Sequence, residues 1–398
     1  MLPTPSGAYG VGRVSYELTD PSRPEPLSPD AGAHRKMMAY VWYPAERKAI
    51  VGKASAPYLP GFEKIRSKLS NGDVADMFRP ALYNGPASLP RTDVFENAPM
   101  ARGKEKFPLL LFSAGWGNLA FLYTAELEDI VSHGYVVAAI DHPYDSVYTQ
   151  FPDGQVTFFA QERFNNAVAK PHGMIAYAKE RVEVMAQDNQ YALTQIVQYA
   201  NTRSMHVPFY ARIDEKKIGT FGHSIGGLAA ARTCQLDMRI KACMDQDSID
   251  DRGSAFVVSG PQQTETQPFF LFVVSSADIW SRKALNPSDT ELAQQKLTRA
   301  EFDAKMKQQQ ENQTRQLAGI AGGSYRLMLF DLPGFIHRSF TDQTLLALKD
   351  HEESLHNFQV AEEYTLAFFN KYLKLETKTV LDTKAIDTRA KLEKFPPH

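Results

Sequence analysis

Cysteine is almost absent: Cys234 and Cys243 are the only two in 398 residues. That is too few for a disulfide framework, and no C-x-x-C pair or Cys/His cluster suggests zinc. One bridge between them is allowed, although two separately buried thiols are the expected state. Charge of one sign is also missing. The 44 Lys and Arg against 46 Asp and Glu leave a net charge of −2, with no basic stripe or arginine-rich tail. Nothing electrostatic therefore points to a nucleic-acid partner. Long hydrophobic runs are lacking too. "FPLLLF", "GYVVAAI" and "PFFLFVV" are strand-sized and far short of the roughly 20 apolar residues of a membrane-spanning helix. The opening "MLPTPSGAYGVG" has neither the charged nor the apolar region of a signal peptide, and a mature secreted or periplasmic form is the favoured reading. No internal repeat occurs, and the one biased tract is the Gln-rich "KQQQENQTRQ" at 307–316.

What is present has the order of a layered α/β domain. "GVGRVSYEL" and "RKMMAYVWYPA" read as an antiparallel strand pair around a Pro-rich turn, within an N-terminal section, 1–106, of strands and irregular chain. From 107 onward, buried apolar runs alternate with helical stretches. Strands are predicted at "FPLLLFSAG", "YVVAAIDHP", "KIGTFG", "IKACMDQD", "PFFLFVVSSAD" and "SYRLMLFDLPG", and a long helix near 340–373 closes the domain. This pattern predicts a mostly parallel central sheet covered by helices on both faces. Residues 1–398 are read as one domain, with a helical insertion at 150–212 and a polar insertion at 279–322. The second insertion is a candidate lid, and a solvated surface excursion is the plain alternative. In such sheets the chemistry sits at the carboxyl ends of the strands.

"GHSIGG" meets that requirement. Gly222, Ser224 and Gly226 form G-x-S-x-G between a predicted strand and a small-residue helix, the arrangement of a nucleophile elbow. Residues two before and two after the serine come so close that side chains there would clash. A serine nucleophile needs a base, because its proton must leave as it attacks. The chain order Ser, acid, His restricts the search to His337, His351, His356 and His398. His337, in the loop "LPGFIHRSFTD" after a strand, is the one at a carboxyl end. The acid is less determined: Asp245 and Asp247 follow one strand and Asp278 the next, and spacing leaves all three open. Two backbone N–H groups should receive the developing oxyanion. One belongs to Ile225, after the nucleophile; the other is assigned to Trp116, between Gly115 and Gly117 in "FSAGWGNL".

A rival reading uses the same loop. Gly115-Trp116-Gly117-Asn118-Leu119-Ala120 is G-x-G-x-x-A after a strand, and Asp141 ends the next one, so the segment would pass as a dinucleotide-binding unit of an oxidoreductase. It leaves the serine elbow and His337 without a role. A catalytically dead hydrolase-fold binding protein is the third possibility.

These residues resemble the plasma-type (group VII) platelet-activating factor acetylhydrolase family and its bacterial relatives. "SGAYGVG", "YVWYPA", "FPLLLFSAGWG", "LYTAELEDIVSHGYVVAAIDHPYDS", "GHSIGG" and "GFIHRSFTD" are similar to the family's motifs and occur in the same order. The resemblance implies an α/β-hydrolase fold and a metal- and cofactor-free serine esterase with a Ser-His-Asp triad. Its substrates would be small-molecule or lipid esters with short acyl chains, with transient contact to a lipid interface. It also implies Asp245 as the acid, with Asp278 the alternative, and agrees with Trp116 and Ile225 as oxyanion donors. Ala114 stands where the family has histidine and Trp116 where it has leucine, which reshapes the acyl side. A general carboxylesterase, a dienelactone-hydrolase-like enzyme or a polyester-cleaving enzyme of the same fold is the alternative substrate reading.

Overall fold

In "FPLLLFS" every residue is buried, yet its side chains serve two cores. Leu109 and Leu111 join one hydrophobic cluster, Leu110 and Phe112 the other. The alternation recurs in "FFLFV", where Phe270 and Phe272 face one side and Phe269, Leu271 and Val273 face the opposite one. A strand apolar on both faces belongs in the middle of a sheet covered on both sides. The computed structural model describes residues 2–69, 89–170, 173–202, 210–248, 267–274, 288–294, 297–347, 351–383 and 385–397, and has that architecture.

The strands are β1 (Gly10–Pro24), β2 (His34–Ala45), β3 (Val94–Glu96), β4 (Phe107–Ser113), β5 (Val136–Asp141), β6 (Tyr148–Gln150), β7 (Val156–Phe158), β8 (Ile213–His223), β9 (Ile240–Gln246), β10 (Phe269–Val273), β11 (Ser324–Met328) and β12 (Lys391–Phe395). Ten form one sheet, in the order β12-β11-β10-β9-β8-β4-β5-β2-β1-β3, and β6 and β7 form a separate hairpin. The run β5-β4-β8-β9-β10-β11 is parallel throughout. The N-terminal pair β1 and β2 is antiparallel, and β2 joins β5 antiparallel. The C-terminal edge strand β12, antiparallel to β11, is not foreseen from its polar sequence "KLEKF".

The main helices are α1 (Thr124–Ser132), α2 (Gln161–Val168), α3 (Gly173–Thr202), α4 (Ile225–Leu236), α5 (Arg299–Ala318) and α6 (His351–Tyr372). α5 opens with a reciprocal capping box between Thr298 and Glu301, which satisfies its first free N–H groups. It lies within the segment 279–322 and forms the crossover between β10 and β11. Gln313 of α5 accepts from Arg326 of β11, and Leu317 is buried in the sheet core. Among the described residues no helix is long and apolar enough to cross a membrane.

Cys234 of α4 and Cys243 of β9 form a disulfide, with 6.3 Å between their Cα atoms. This corrects the expectation of two separate thiols. The turn after α4 folds the chain back so that the last turns of the helix lie on β9, which the sequence spacing alone does not reveal.

Candidate active site

Ser224 sits between β8 and α4 with φ 56° and ψ −129°, a conformation side-chain-bearing residues rarely hold. Strain of that kind costs about 1–3 kcal/mol and persists only where the surroundings enforce it. Here they do. The Ser224 N–H donates to the Gln246 carbonyl at 3.0 Å, and its own carbonyl accepts from the Gly227 N–H at 2.9 Å. A Cβ on Gly226 would come within 2.6 Å of the Ala114 carbonyl oxygen, and one on Gly222 within 2.6 Å of that of Ser113. Both glycines are thus demanded by the tight seat of the elbow against the end of β4. The serine itself is only half-buried.

His337 begins a short 3₁₀ turn, His337–Phe340, after β11, and its ring lies against His223, with centroids 4.3 Å apart. Its Nδ1 is 2.7 Å from Oδ2 of Asp247. The other oxygen of Asp247 accepts the Val274 N–H at 3.0 Å, so the carboxylate is held at two points. Burial and the neighbouring His337 push the pKa of His223 well below the usual histidine range, so this second ring stays neutral.

The expected acid, Asp245, is not the carboxylate paired with His337, and sheet register explains why. β8 and β9 pair Gly222 with Asp245 and His223 with Gln246. Asp245 is therefore still inside the sheet, two positions below Ser224, while Asp247 reaches the level of Ser224. Asp245 is fully buried; it accepts the Ser248 N–H at 2.9 Å and the Ser248 hydroxyl, and a Cβ on Gly227 would lie only 2.5 Å from its Oδ1. Burial raises its pKa to about 7. Asp247 leaves the strand with φ 60°, which turns its side chain toward the loop carrying His337. Asp278, the alternative acid, lies outside the described residues.

The loop after β4 packs on the elbow: a Cβ on Gly115 would stand 3.2 Å from Cβ of Ser224. The Gly115 N–H donates to the Tyr123 hydroxyl at 3.1 Å, and that hydroxyl is 2.9 Å from Nδ1 of His223. Among the described residues, neither the Trp116 nor the Ile225 N–H has an acceptor. The Trp116 indole stacks on Tyr177 of α3, with centroids 5.7 Å apart, and meets Phe164 of α2 edge-on. The 150–212 segment thereby supplies an aromatic wall.

The G-x-G-x-x-A run does not build a dinucleotide site. A 3₁₀ turn, Ala120–Tyr123, follows it, and α1 starts only at Thr124, so no helix N-terminus opens at the glycines. Asp141 is buried and accepts the Ala120 N–H at 3.4 Å. Nor do the described residues contain a group of three or more His, Cys, Asp or Glu side chains arranged to hold a metal ion.

A second Ser-His-Asp chain, unforeseen from the sequence, lies behind the first loop. Ser113 Oγ is 3.1 Å from Nε2 of His142, whose Nδ1 is 2.9 Å from Asp188. All three are buried, and Asp188 is also gripped by Arg35, which holds its carboxyl far below the usual range. A serine without access to solvent, beside a histidine tied into an ion-pair network, is architectural. Only its histidine had a local signal, His142 directly after the strand in "DHPYDS"; Ser113 and Asp188 come from other elements.

The mostly parallel sheet with helices on both faces, and a strand-turn-helix junction at its centre, defines the α/β-hydrolase fold class. More narrowly, the chain belongs to the family described as platelet-activating factor acetylhydrolase, isoform II, which it matches over residues 2–391. A probable 1-alkyl-2-acetylglycerophosphocholine esterase from Arthroderma benhamiae is 26% identical over 253 residues, covering 62% of this chain and 58% of that protein. The platelet-activating factor acetylhydrolase of Canis lupus familiaris is 28% identical over 165 residues, 38% of this chain and 37% of the relative. The chain thus covers less than two thirds of the length of these relatives. Among solved structures, a ferulic acid esterase from Streptomyces cinnamoneus superposes with a TM-score of 0.69 at 22% identity, covering 98% of both chains, a likeness of fold.

Proposed function

We propose that the protein is a serine carboxylic ester hydrolase that cleaves short-chain acyl esters, those of phospholipids among them, through an acyl-enzyme. The observation that carries this reading is the 2.7 Å His337–Asp247 pair at the level of a strained serine elbow. Ser224 attacks the ester carbonyl as His337 takes its proton, and Asp247 stabilises the imidazolium and fixes the ring. The Trp116 and Ile225 amides receive the oxyanion; their N–H groups have no other acceptor among the described residues, which supports that role. His337 then protonates the leaving alcohol, and water releases the acyl group by the same route. The acetyl-ester chemistry in the names of the fungal and canine relatives supports a short acyl side. Trp116, whose indole is packed on Phe164 and Tyr177, stands in the loop beside the elbow where the resembling family has a smaller leucine, and that added bulk supports the same reading.

The test is a rate profile over p-nitrophenyl esters of increasing acyl length, with short-chain phosphatidylcholine included. A fall in kcat/KM beyond a few carbons, with turnover of the phospholipid, is the expected result. A rise with chain length would overturn the short-acyl reading, and no phospholipid turnover would leave a general carboxylesterase.

A further inference from the structure

The loop that carries the Trp116 amide should be deformable. It has glycine on both sides of the tryptophan, and Gly117 takes φ 62°. A donor that must meet a developing charge cannot be left loose, since a misplacement of about 1 Å costs on the order of 10²-fold in rate. What holds it comes from neighbouring elements. The Asp145 carbonyl accepts the Gly117 N–H at 2.9 Å, and Oδ1 of Asp145 accepts the Trp116 indole N–H at 3.3 Å. One residue therefore pins Trp116 through its side chain and through the next amide. Asp145 is fixed in turn by Arg181 of α3, whose Nε donates at 2.9 Å to Oδ1 and whose Nη2 donates at 2.7 Å to Oδ2. The two side chains are 1% and 2% exposed, so the pair is bidentate and shielded from water.

The same helix touches the other proposed donor. Val182 and Met185 of α3 cluster with Ile225 and Ala229 of α4, and Trp116 packs against that cluster. Seven residues beyond Arg181, two turns along the same face, Asp188 anchors Ser113 through His142, fixing the residue just before the loop.

We propose that Arg181 and Asp145 are positioning residues: through the clamped Trp116 side chain and Gly117 amide, they set where the Trp116 N–H points. The inference rests on the serine-hydrolase reading above. Removing the arginine leaves a buried carboxylate without its cationic partner, and Asp145 is then free to shift the loop it holds.

The experiment compares Arg181→Gln, Asp145→Asn and Trp116→Phe on p-nitrophenyl acetate, with active sites counted by fluorophosphonate titration. Each variant is also assayed for inhibition by a trifluoromethyl ketone, which forms an oxyanion adduct with the serine. Removing one oxyanion donor outright costs about 10²–10³-fold, so a displaced donor should lower kcat per active site by about 10- to 100-fold for Arg181→Gln. KM should stay within about threefold, and ketone affinity should fall in step with kcat/KM. Trp116→Phe leaves the buried ion pair intact and loses only the indole contact, so it remains informative if Arg181→Gln does not fold. It should show the same pattern at about 3- to 10-fold, as expected for a partial displacement. Asp145→Asn should follow Arg181→Gln, and if any of the three folded variants keeps wild-type kcat per titrated site and wild-type ketone affinity, the pair is merely structural and the proposal fails. A wild-type protein that takes up neither reagent would instead overturn the serine-hydrolase reading itself.

Discussion

Replacing Asp247 by Asn changes one carboxylate oxygen to an amide and leaves the shape almost untouched. The Val274 N–H still has an oxygen to donate to. The charge facing the His337 imidazole at 2.7 Å is lost, and the new amide group can present its own hydrogens to Nδ1. At an effective dielectric near 20, a unit charge pair at that separation is worth about 6 kcal/mol. Each 1.36 kcal/mol is tenfold in rate, so kcat should fall by about 10⁴-fold, the scale found when the acid of a Ser-His-Asp triad is amidated. Asp245→Asn makes the opposite prediction. That carboxyl contacts Ser248 and the Gly227 backbone, and burial raises its pKa to about 7. Its amide should cost about 1–3 kcal/mol of stability, the scale of a disturbed buried hydrogen bond, and leave kcat within about tenfold. Both variants are assayed on p-nitrophenyl acetate per titrated active site. A larger loss in Asp245→Asn than in Asp247→Asn would refute the register argument and return the acid to the position that the family resemblance suggested.

Burial raises the pKa of Glu126, whose carboxylate accepts from the Gln246 side chain while its other oxygen is buried with no partner among the described residues. A folded-state pKa above the unfolded value means the native state binds the proton more tightly. The associated stability is present at pH 4 and drains away as pH rises through the raised value. Glu126→Gln should therefore flatten the decline of Tm between pH 5 and 9 relative to wild type; an unchanged slope counts against this assignment. The Cys234–Cys243 bridge closes a short loop, a sequence separation of 9, between α4 and β9. Chain-entropy arguments value such a loop at about 2–3 kcal/mol. Cys234→Ala should lower Tm by a few degrees with kcat retained, and thiol titration of the unreduced, denatured wild-type protein should find none.

The parts of the candidate site that rest on local patterns could be read in advance. G-x-S-x-G needs only five consecutive residues, and His337 was singled out by its place after a strand. Trp116 stood out because glycines bracket it at the end of β4. The acid could not be chosen the same way. Asp245 and Asp247 are two residues apart and would share a face of an ideal strand. What separates them is the pairing of Gly222 with Asp245 and the positive φ of Asp247, neither of which a spacing reveals. The clamp on Trp116 joins residues 29 and 65 positions downstream of it, so only the packing of α3 brings them together. The parallel, doubly covered character of the sheet's centre followed from doubly apolar strands, whereas the strand order was not read and β12 was missed because an edge strand with Lys391, Glu393 and Lys394 has no apolar run to announce it.

The central claim, that Ser224 is a nucleophile driven by His337, is tested most directly by intact-protein and peptide mass spectrometry after treatment with a fluorophosphonate. The account predicts one adduct per chain, on Ser224, formed quickly in wild type and slowed by orders of magnitude in folded His337→Ala. No adduct, an adduct on another serine, or undiminished labelling of Ser224 in His337→Ala would contradict it.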